Sequence, residues 1–133
     1  MAKRVLVVED NELNLKLFCD LLRAHGHDAL AVRDGRDALT QARAFRPELV
    51  IMDIHLSHVG GIDIIKALKA DATLAPVPVM AVTAYAGKGD EENIRAAGAQ
   101  AYVSKPISVM KFMEVVNGLI APPEPGQDSA TGA

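Results

Sequence analysis

Short, uninterrupted apolar runs alternate along this chain with longer amphipathic segments, and this alternation restricts the possible folds more than any other feature of the sequence. The three strongest runs are rich in β-branched residues and span 5–8, 49–52 and 77–82. Continuous runs of this kind predict strands that are buried on both faces, as in a parallel sheet. Two weaker runs, 29–32 and 101–103, are interpreted as strands nearer the sheet edges.

Apolar residues at helical spacing occupy the intervals between these runs. Gly26 supplies a C-terminal stop for the first helix, and Asp90 and Ser108 are predicted to be N-caps of the last two. A strand–helix unit thus repeats about five times, which predicts an α/β fold with a parallel sheet, right-handed crossovers and helices on both faces. In such a sheet, ligands bind outside the carboxyl ends of the strands, where the strand order reverses.

The composition limits the classes of protein that this chain can represent. Its 133 residues are 50% hydrophobic and carry a formal net charge of −3, which fits one globular domain and argues against nucleic-acid binding. No apolar stretch approaches the roughly 20 residues of a membrane span, and Glu9 interrupts the apolar start too early for a signal peptide. The single cysteine, Cys19, excludes an internal disulfide. We expect a cytoplasmic protein with a folded domain over 1–120 and a disordered, proline-rich tail over 121–133.

Three carboxylates follow two of the predicted strands. Glu9 and Asp10 close the first strand, and Asp53 closes the third. In an open α/β sheet these strand ends are neighbours at the point where the strand order reverses, so the three side chains gather in one cleft. Unpaired carboxylates repel one another, so the cleft favours a hard divalent cation. We expect Mg²⁺, for which Mn²⁺ can substitute.

A hydroxyl and an ammonium group follow the last two strands. Thr83 closes the fourth strand, and Lys105 follows the fifth. Together with the carboxylates, these groups are typical of phosphoryl transfer to a carboxylate. Asp53 would be the nucleophile, the metal and Lys105 would neutralise charge on the phosphoryl oxygens, and Thr83 would donate a hydrogen bond.

Each of these residues also has an ordinary structural interpretation. An Asp after a strand is commonly a turn residue or a helix cap, a Thr is a common β former, and a Lys before proline is commonly solvated. What favours the functional interpretation is that all of them occur together at the carboxyl ends of predicted strands.

The order of these motifs resembles the receiver domain of two-component response regulators, over about residues 3–120. The resemblance is carried by four motifs, each directly after a predicted strand: Glu9-Asp10-Asn11, Asp53, Thr83-Ala84 and Lys105-Pro106. It implies a flavodoxin-like, doubly wound sheet of five parallel strands in the order 2-1-3-4-5. Longer stretches, including 8–14 and 102–108, resemble a single-domain regulator of cell-cycle kinases within this family.

The resemblance implies a role for each site residue. A histidine kinase or a histidine phosphotransfer protein would phosphorylate Asp53. Asp10, Asp53 and the backbone carbonyl of His55 would ligate Mg²⁺, and Glu9 would act through a water. The chain would not be a conventional enzyme, since its only reactions would be Mg²⁺-dependent self-phosphorylation from a phosphodonor and autodephosphorylation.

The resemblance also implies how the phosphorylated state would be read. Lys105 would bind the phosphoryl group, with a cis peptide bond before Pro106. Thr83 and Tyr102 would form a switch pair, in which Thr83 moves toward the phosphoryl group and Tyr102 rotates into the vacated space. The alternative for Tyr102 is an ordinary strand aromatic in the core. His55 and Tyr85 would border the route of the attacking water, although His55 also fits a solvated loop histidine.

One position departs from the family pattern. Ser57 stands where the family usually carries proline, whereas Gly61 fits the pattern. Loss of proline frees the backbone and adds an N–H group, so we expect a more mobile acceptor loop.

The resemblance also implies that donor docking would involve Asn14 and Leu17 on the first helix and Ile107 in the last loop. The last helix carries apolar residues on more than one face, which indicates either an outward-facing partner site or a helix at a marginal edge.

Three rival functions share parts of this pattern. The first is a phosphate shuttle between phosphotransfer proteins. The second is a flavin carrier, which lacks support because Glu9 and Asp10 would repel the flavin phosphate. The third is an aspartyl-phosphate phosphatase, which needs a second carboxylate where this chain has His55. We expect a monomer or a weak phosphorylation-dependent dimer that partners recruit to cell poles.

Overall fold

Five strands alternate with five helices in the computed structural model, which describes residues 3–84 and 88–120. The strands are β1 Arg4–Val8, β2 Asp28–Val32, β3 Leu49–Asp53, β4 Val79–Thr83 and β5 Ala101–Ser104. The α-helices are α1 Glu12–Ala24, α2 Ala38–Phe45, α3 Gly61–Ala70, α4 Lys88–Ala97 and α5 Val109–Ile120. A 3₁₀ turn, Gly35–Asp37, precedes α2. The predicted tail 121–133 and Tyr85 lie outside the described residues.

The five strands form one parallel sheet in the order β2-β1-β3-β4-β5. This order confirms the predicted fold class and places the two weaker runs at the edges. The order reverses between β1 and β3, where Val8 pairs with Met52. Glu9 and Asp53 follow that pair directly, so the fold brings the two acidic strand ends side by side.

Alternate residues of the central strands point to opposite faces of the sheet, and each face carries its own buried cluster. Leu6 and Val8 pack with the helices α2, α3 and α4, whereas Val5 and Val7 pack with α1 and α5. Two stacked phenylalanine rings join α1 to α5, since the Phe18 and Phe112 centroids lie 4.9 Å apart at an interplanar angle of 9°. Helices therefore cover both faces, and every residue from Leu49 to Asp53 is buried.

Several element ends follow local signals in the sequence. Asn11 caps α1 through its side chain, which accepts a hydrogen bond from Asn14 N at 3.0 Å, and Ser108 Oγ accepts from Lys111 N at 3.3 Å. Two boundaries differ from the predictions. β4 begins at Val79 rather than at residue 77, which is consistent with Pro78 having no N–H for the strand ladder. Helix α4 begins at Lys88, so Asp90 lies in its first turn rather than at its N-cap.

The start of α3 packs tightly against the end of β3. A Cβ atom on Gly61 would lie 2.2 Å from the backbone oxygen of Asp53, so no side chain fits at this position. The Gly61 N–H donates a hydrogen bond to the Ile54 carbonyl at 3.1 Å. Gly61 thus allows the helix to approach the backbone that carries Asp53.

Candidate functional site

Three carboxylates converge at the point where the strand order reverses. Glu9 and Asp10 extend from the end of β1, and Asp53 is the last residue of β3. One ligand oxygen from each residue lies within 4.8 Å of the other two. Glu9 and Asp53 are buried, at 0% and 2% exposure, and Asp10 is half-buried. The cleft therefore has the donor set of a divalent-cation site, as the sequence predicts.

Glu9 is the most deeply buried of the three acids. Its Oε2 accepts a hydrogen bond from the Asn11 N–H at 3.1 Å, whereas its buried Oε1 has no hydrogen-bond partner among the residues that the structure describes. Burial, together with the neighbouring Asp53 carboxylate, raises the pKa of Glu9 to about 7. A buried acceptor oxygen beside other carboxylates fits a site for a cation or for a cation-bound water.

Lys105 brings a positive charge to the same cleft. Its Nζ lies 3.5 Å from Asp53 Oδ2 and 3.6 Å from Glu9 Oε1. The Lys105–Pro106 peptide bond is cis, and the Lys105 N–H donates to the Thr83 carbonyl at 2.7 Å. Lys105 contacts two of the three carboxyl groups. A single ammonium cannot neutralise all three carboxylates, so the charge of the cluster still favours a divalent cation.

His55 contacts Asp53, and Thr83 contacts His55. Thr83 ends β4 and is 1% exposed, and its Oγ1 lies 3.4 Å from His55 Nε2. The His55 N–H donates to Asp53 Oδ1 at 3.0 Å, although the residue itself is exposed. His55 is therefore a loop histidine that contacts the site.

Ser57 contacts the acidic cluster in a way that the sequence analysis missed. Its backbone N–H and its hydroxyl both donate to Asp10 Oδ2, at 2.9 and 2.5 Å. The sequence indicated the extra N–H group but not its acceptor. The only signal was the replacement of proline by a residue with two donors, in a loop predicted to lie beside carboxylates.

Tyr102 extends from β5 toward α4. Its hydroxyl donates to Glu91 Oε1 at 3.0 Å, and the Arg95 guanidinium carbon lies 5.5 Å from the ring centroid. The Glu91 contact raises the pKa of the Tyr102 hydroxyl. Arg95 Nε also lies 3.2 Å from Glu91 Oε2, so the three side chains form one network. Glu91 and Arg95 were not predicted as site residues, and the only sequence signal was their spacing of four on a helix.

The predicted docking residues lie on the side of the molecule that α1 and α5 form. Leu17 and Ile107 are half-buried against the core cluster of that face, and Asn14 is half-buried beside the α1 cap. More exposed apolar side chains lie in the same two helices: Leu13 at 79%, Val109 at 44% and Met110 at 84%. The outward-facing apolar surface expected on α5 is therefore present, and the sequence analysis missed Leu13.

A sequence model of the response regulator receiver domain matches residues 5–117. The chain belongs to this receiver domain family. It is 52% identical over 120 residues to a protein of Brucella anthropi named polar-differentiation response regulator DivK, covering 90% of this chain and 98% of that protein. A second curated DivK, from Brucella ovis, is 51% identical over the same length.

Solved structures agree with this family assignment. The receiver domain of sensor histidine kinase PA1611 from Pseudomonas aeruginosa, described with a magnesium ion in its active-site cleft, is 30% identical. It matches with a TM-score of 0.84, over 92% of this chain and 100% of that one. The chemotaxis protein CheY4 of Vibrio cholerae matches in fold with a TM-score of 0.85 at 21% identity, over 90% of this chain and 99% of that one.

As a receiver domain, the chain is a module of two-component signalling. Proteins of this family work with histidine kinases and phosphotransfer proteins. The assignment removes the support for the flavin-carrier and phosphatase alternatives. No helix within the described ranges 3–84 and 88–120 is long and apolar enough to cross a membrane.

Proposed function

We propose that a histidine kinase or a phosphotransfer protein phosphorylates this receiver domain on Asp53 in the presence of Mg²⁺, and that the phosphorylated form signals by binding other proteins. The observation that carries the proposal is the convergence of three carboxylates with the Lys105 ammonium, whose Nζ lies 3.5 Å from Asp53 Oδ2. The magnesium ion described in the PA1611 receiver domain supports the choice of metal.

The proposed reaction assigns a role to each group in the cleft. An Asp53 oxygen forms a bond to phosphorus while the bond from phosphorus to the donor's histidine nitrogen breaks, and that nitrogen retains the electron pair. Lys105 neutralises charge on the phosphoryl oxygens. Asp10, Asp53 and the His55 carbonyl would hold Mg²⁺, with Glu9 acting through a water. When bound, the metal reduces repulsion between the carboxylates and the incoming phosphoryl group.

The switch step would couple Asp53 to Tyr102. Thr83 moves toward the phosphoryl group, and Tyr102 leaves its position against α4 to fill the space. That rotation breaks the hydrogen bond from the Tyr102 hydroxyl to Glu91. Phosphorylation must therefore stabilise the rotated state by more than the lost contact contributes before the equilibrium reverses.

A direct test is incubation with acetyl phosphate and Mg²⁺, followed by intact-mass measurement. We expect the wild type to gain the mass of one phosphoryl group, and EDTA to prevent the gain. Asp53→Ala and Lys105→Ala should remain unmodified or nearly so, whereas Lys111→Ala, which removes an exposed lysine on α5, should react like the wild type. Modification that persists in Asp53→Ala would refute the assignment of the acceptor.

The binding of other proteins by the phosphorylated form is a separate part of the proposal. The name of the Brucella relatives, polar-differentiation response regulator, supports binding to kinases of cell-cycle or cell-division control, with recruitment from the cytoplasm to a cell pole. Size-exclusion chromatography with candidate kinases should show a complex with the phosphorylated protein and not with Asp53→Asn. Transfer of the phosphoryl group to a phosphotransfer protein without a stable complex would instead support the shuttle alternative. The same chromatography without a kinase tests for a phosphorylation-dependent dimer.

A further inference from the structure

We propose that Ser57 is a positioning residue for the Asp10 carboxylate and sets the affinity of the acidic cluster for its divalent cation. The inference rests on the proposed magnesium site and adds a residue to it. The geometry that points to this role is the pair of hydrogen bonds from Ser57 to one Asp10 oxygen, from the backbone N–H at 2.9 Å and from the hydroxyl at 2.5 Å.

Asp10 needs such a contact more than the other two acids do. Glu9 and Asp53 are buried and held by the surrounding protein, whereas Asp10 is only half-buried. Without a cation, the carboxylates repel one another, and the acid with the most solvent access is the one that can swing away. The two donors of Ser57, which lies 47 residues further along the chain, oppose that movement.

The choice of oxygen also matters for the metal. A carboxylate oxygen has two lone pairs, and the two Ser57 donors occupy both on Asp10 Oδ2. We therefore assign Oδ1 to the cation. A cleft of about 260 Å³, lined by both residues together with Arg33 and Asp34, opens this side of Asp10 to solvent.

Two effects of these hydrogen bonds oppose each other. Donation to Oδ2 draws charge from the carboxylate and weakens its attraction for a cation, whereas fixing the carboxylate reduces the entropy lost when the cation binds. Mutation of residues that hydrogen-bond to metal ligands typically weakens metal binding by about 10- to 100-fold, so the positioning effect dominates in general. Proline, the usual residue of the family at this position, has neither donor.

The test measures cation affinity directly. Electron paramagnetic resonance gives the concentration of free Mn²⁺ while the unphosphorylated protein is titrated with this ion. Ser57→Ala loses the hydroxyl and should weaken binding by about tenfold, and Ser57→Pro, which loses both donors, by at least as much. Ser57→Thr keeps both donors and should restore affinity close to that of the wild type. Competition of Mg²⁺ with bound Mn²⁺ should rank the wild type and the three variants in the same order of affinity.

A double-mutant cycle separates positioning from a general effect on the fold. In an Asp10→Asn background, Ser57→Ala should change Mn²⁺ affinity little, because the ligand that Ser57 positions is already altered. Urea unfolding without metal verifies that each variant is folded. A folded Ser57→Ala protein with wild-type affinity overturns the role of Ser57 and leaves the metal site intact. A wild-type protein that binds no Mn²⁺ overturns the metal site and this inference with it.

Discussion

Replacement of Glu9 by Gln removes the charge of a fully buried carboxyl group while keeping its size. Burial and the Asp53 carboxylate raise the pKa of Glu9 from 4.5 to about 7. A group whose pKa is higher in the folded than in the unfolded state binds its proton more tightly when folded. Its contribution to stability is therefore fully present below about pH 4.5 and is lost as the pH rises through about 7.

The size of this effect follows from the pKa itself. One pKa unit corresponds to about 1.4 kcal/mol, so a rise from 4.5 to about 7 corresponds to about 3 kcal/mol. This is a large fraction of the roughly 5–15 kcal/mol by which domains are usually stable. In the absence of metal, the wild type should lose about 3 kcal/mol of unfolding free energy between about pH 4.5 and about pH 8, and Glu9→Gln should lose much less.

The assay is urea unfolding in EDTA at about pH 5 and about pH 8. Far-UV circular dichroism suits the chain, which contains no tryptophan. The variant should be close to the wild type at the lower pH and more stable at the higher one. The exposed Glu92→Gln serves as the control and should show no such dependence. Hydrogen bonds lower the pKa values of Asp34 and Asp71 to about 2. These two groups therefore change protonation below the pH range of the assay. An equal difference between Glu9→Gln and the wild type at both pH values would refute the reasoning.

Three further substitutions test the packing and the α4 network. Gly61→Ala places a Cβ 2.2 Å from the Asp53 carbonyl oxygen, so we expect a loss of about 1–3 kcal/mol in urea unfolding and slower phosphorylation by acetyl phosphate. Phe112→Ala removes a fully buried ring stacked on α1 and should lower the unfolding free energy by about 3–5 kcal/mol. Glu91→Ala removes the main cause of the raised Tyr102 pKa, so the pKa of that hydroxyl, followed by NMR of the ring carbons, should fall.

Each of these changes has a matched control on the same chain. A Cβ on Gly118 in α5 meets no atom within 4 Å, so Gly118→Ala should be neutral or stabilising, and an equal loss in both glycine variants would argue against the close approach at Gly61. Met110→Ala, at a residue 84% exposed, should change stability by less than about 0.5 kcal/mol. Glu92→Ala should leave the Tyr102 pKa unchanged, and an unchanged pKa in Glu91→Ala would exclude the Glu91 contact as its cause.

The sequence by itself determined the fold class and the acidic cleft. Strands buried on both faces require continuous apolar runs, a signal that is local along the chain, and parallel strands bring their carboxyl ends to one edge. Residues that directly follow such runs, as Glu9 and Asp53 do, can therefore be placed before any coordinates are known. The switch pairing of Thr83 with Tyr102 remains a prediction, since Tyr102 contacts Glu91 in this structure.

Only the tertiary structure decided how loop and helix side chains meet around the cleft. Ser57 reaches Asp10 across 47 residues, whereas the sequence predicts only a more mobile loop from the same substitution. The Glu91 contact of Tyr102 likewise depends on how α4 packs beside β5. Such contacts depend on side-chain rotamers and loop conformation to within about an ångström, because a hydrogen bond weakens steeply outside a narrow range of distance and angle. Apolar periodicity along the chain carries no information at that precision.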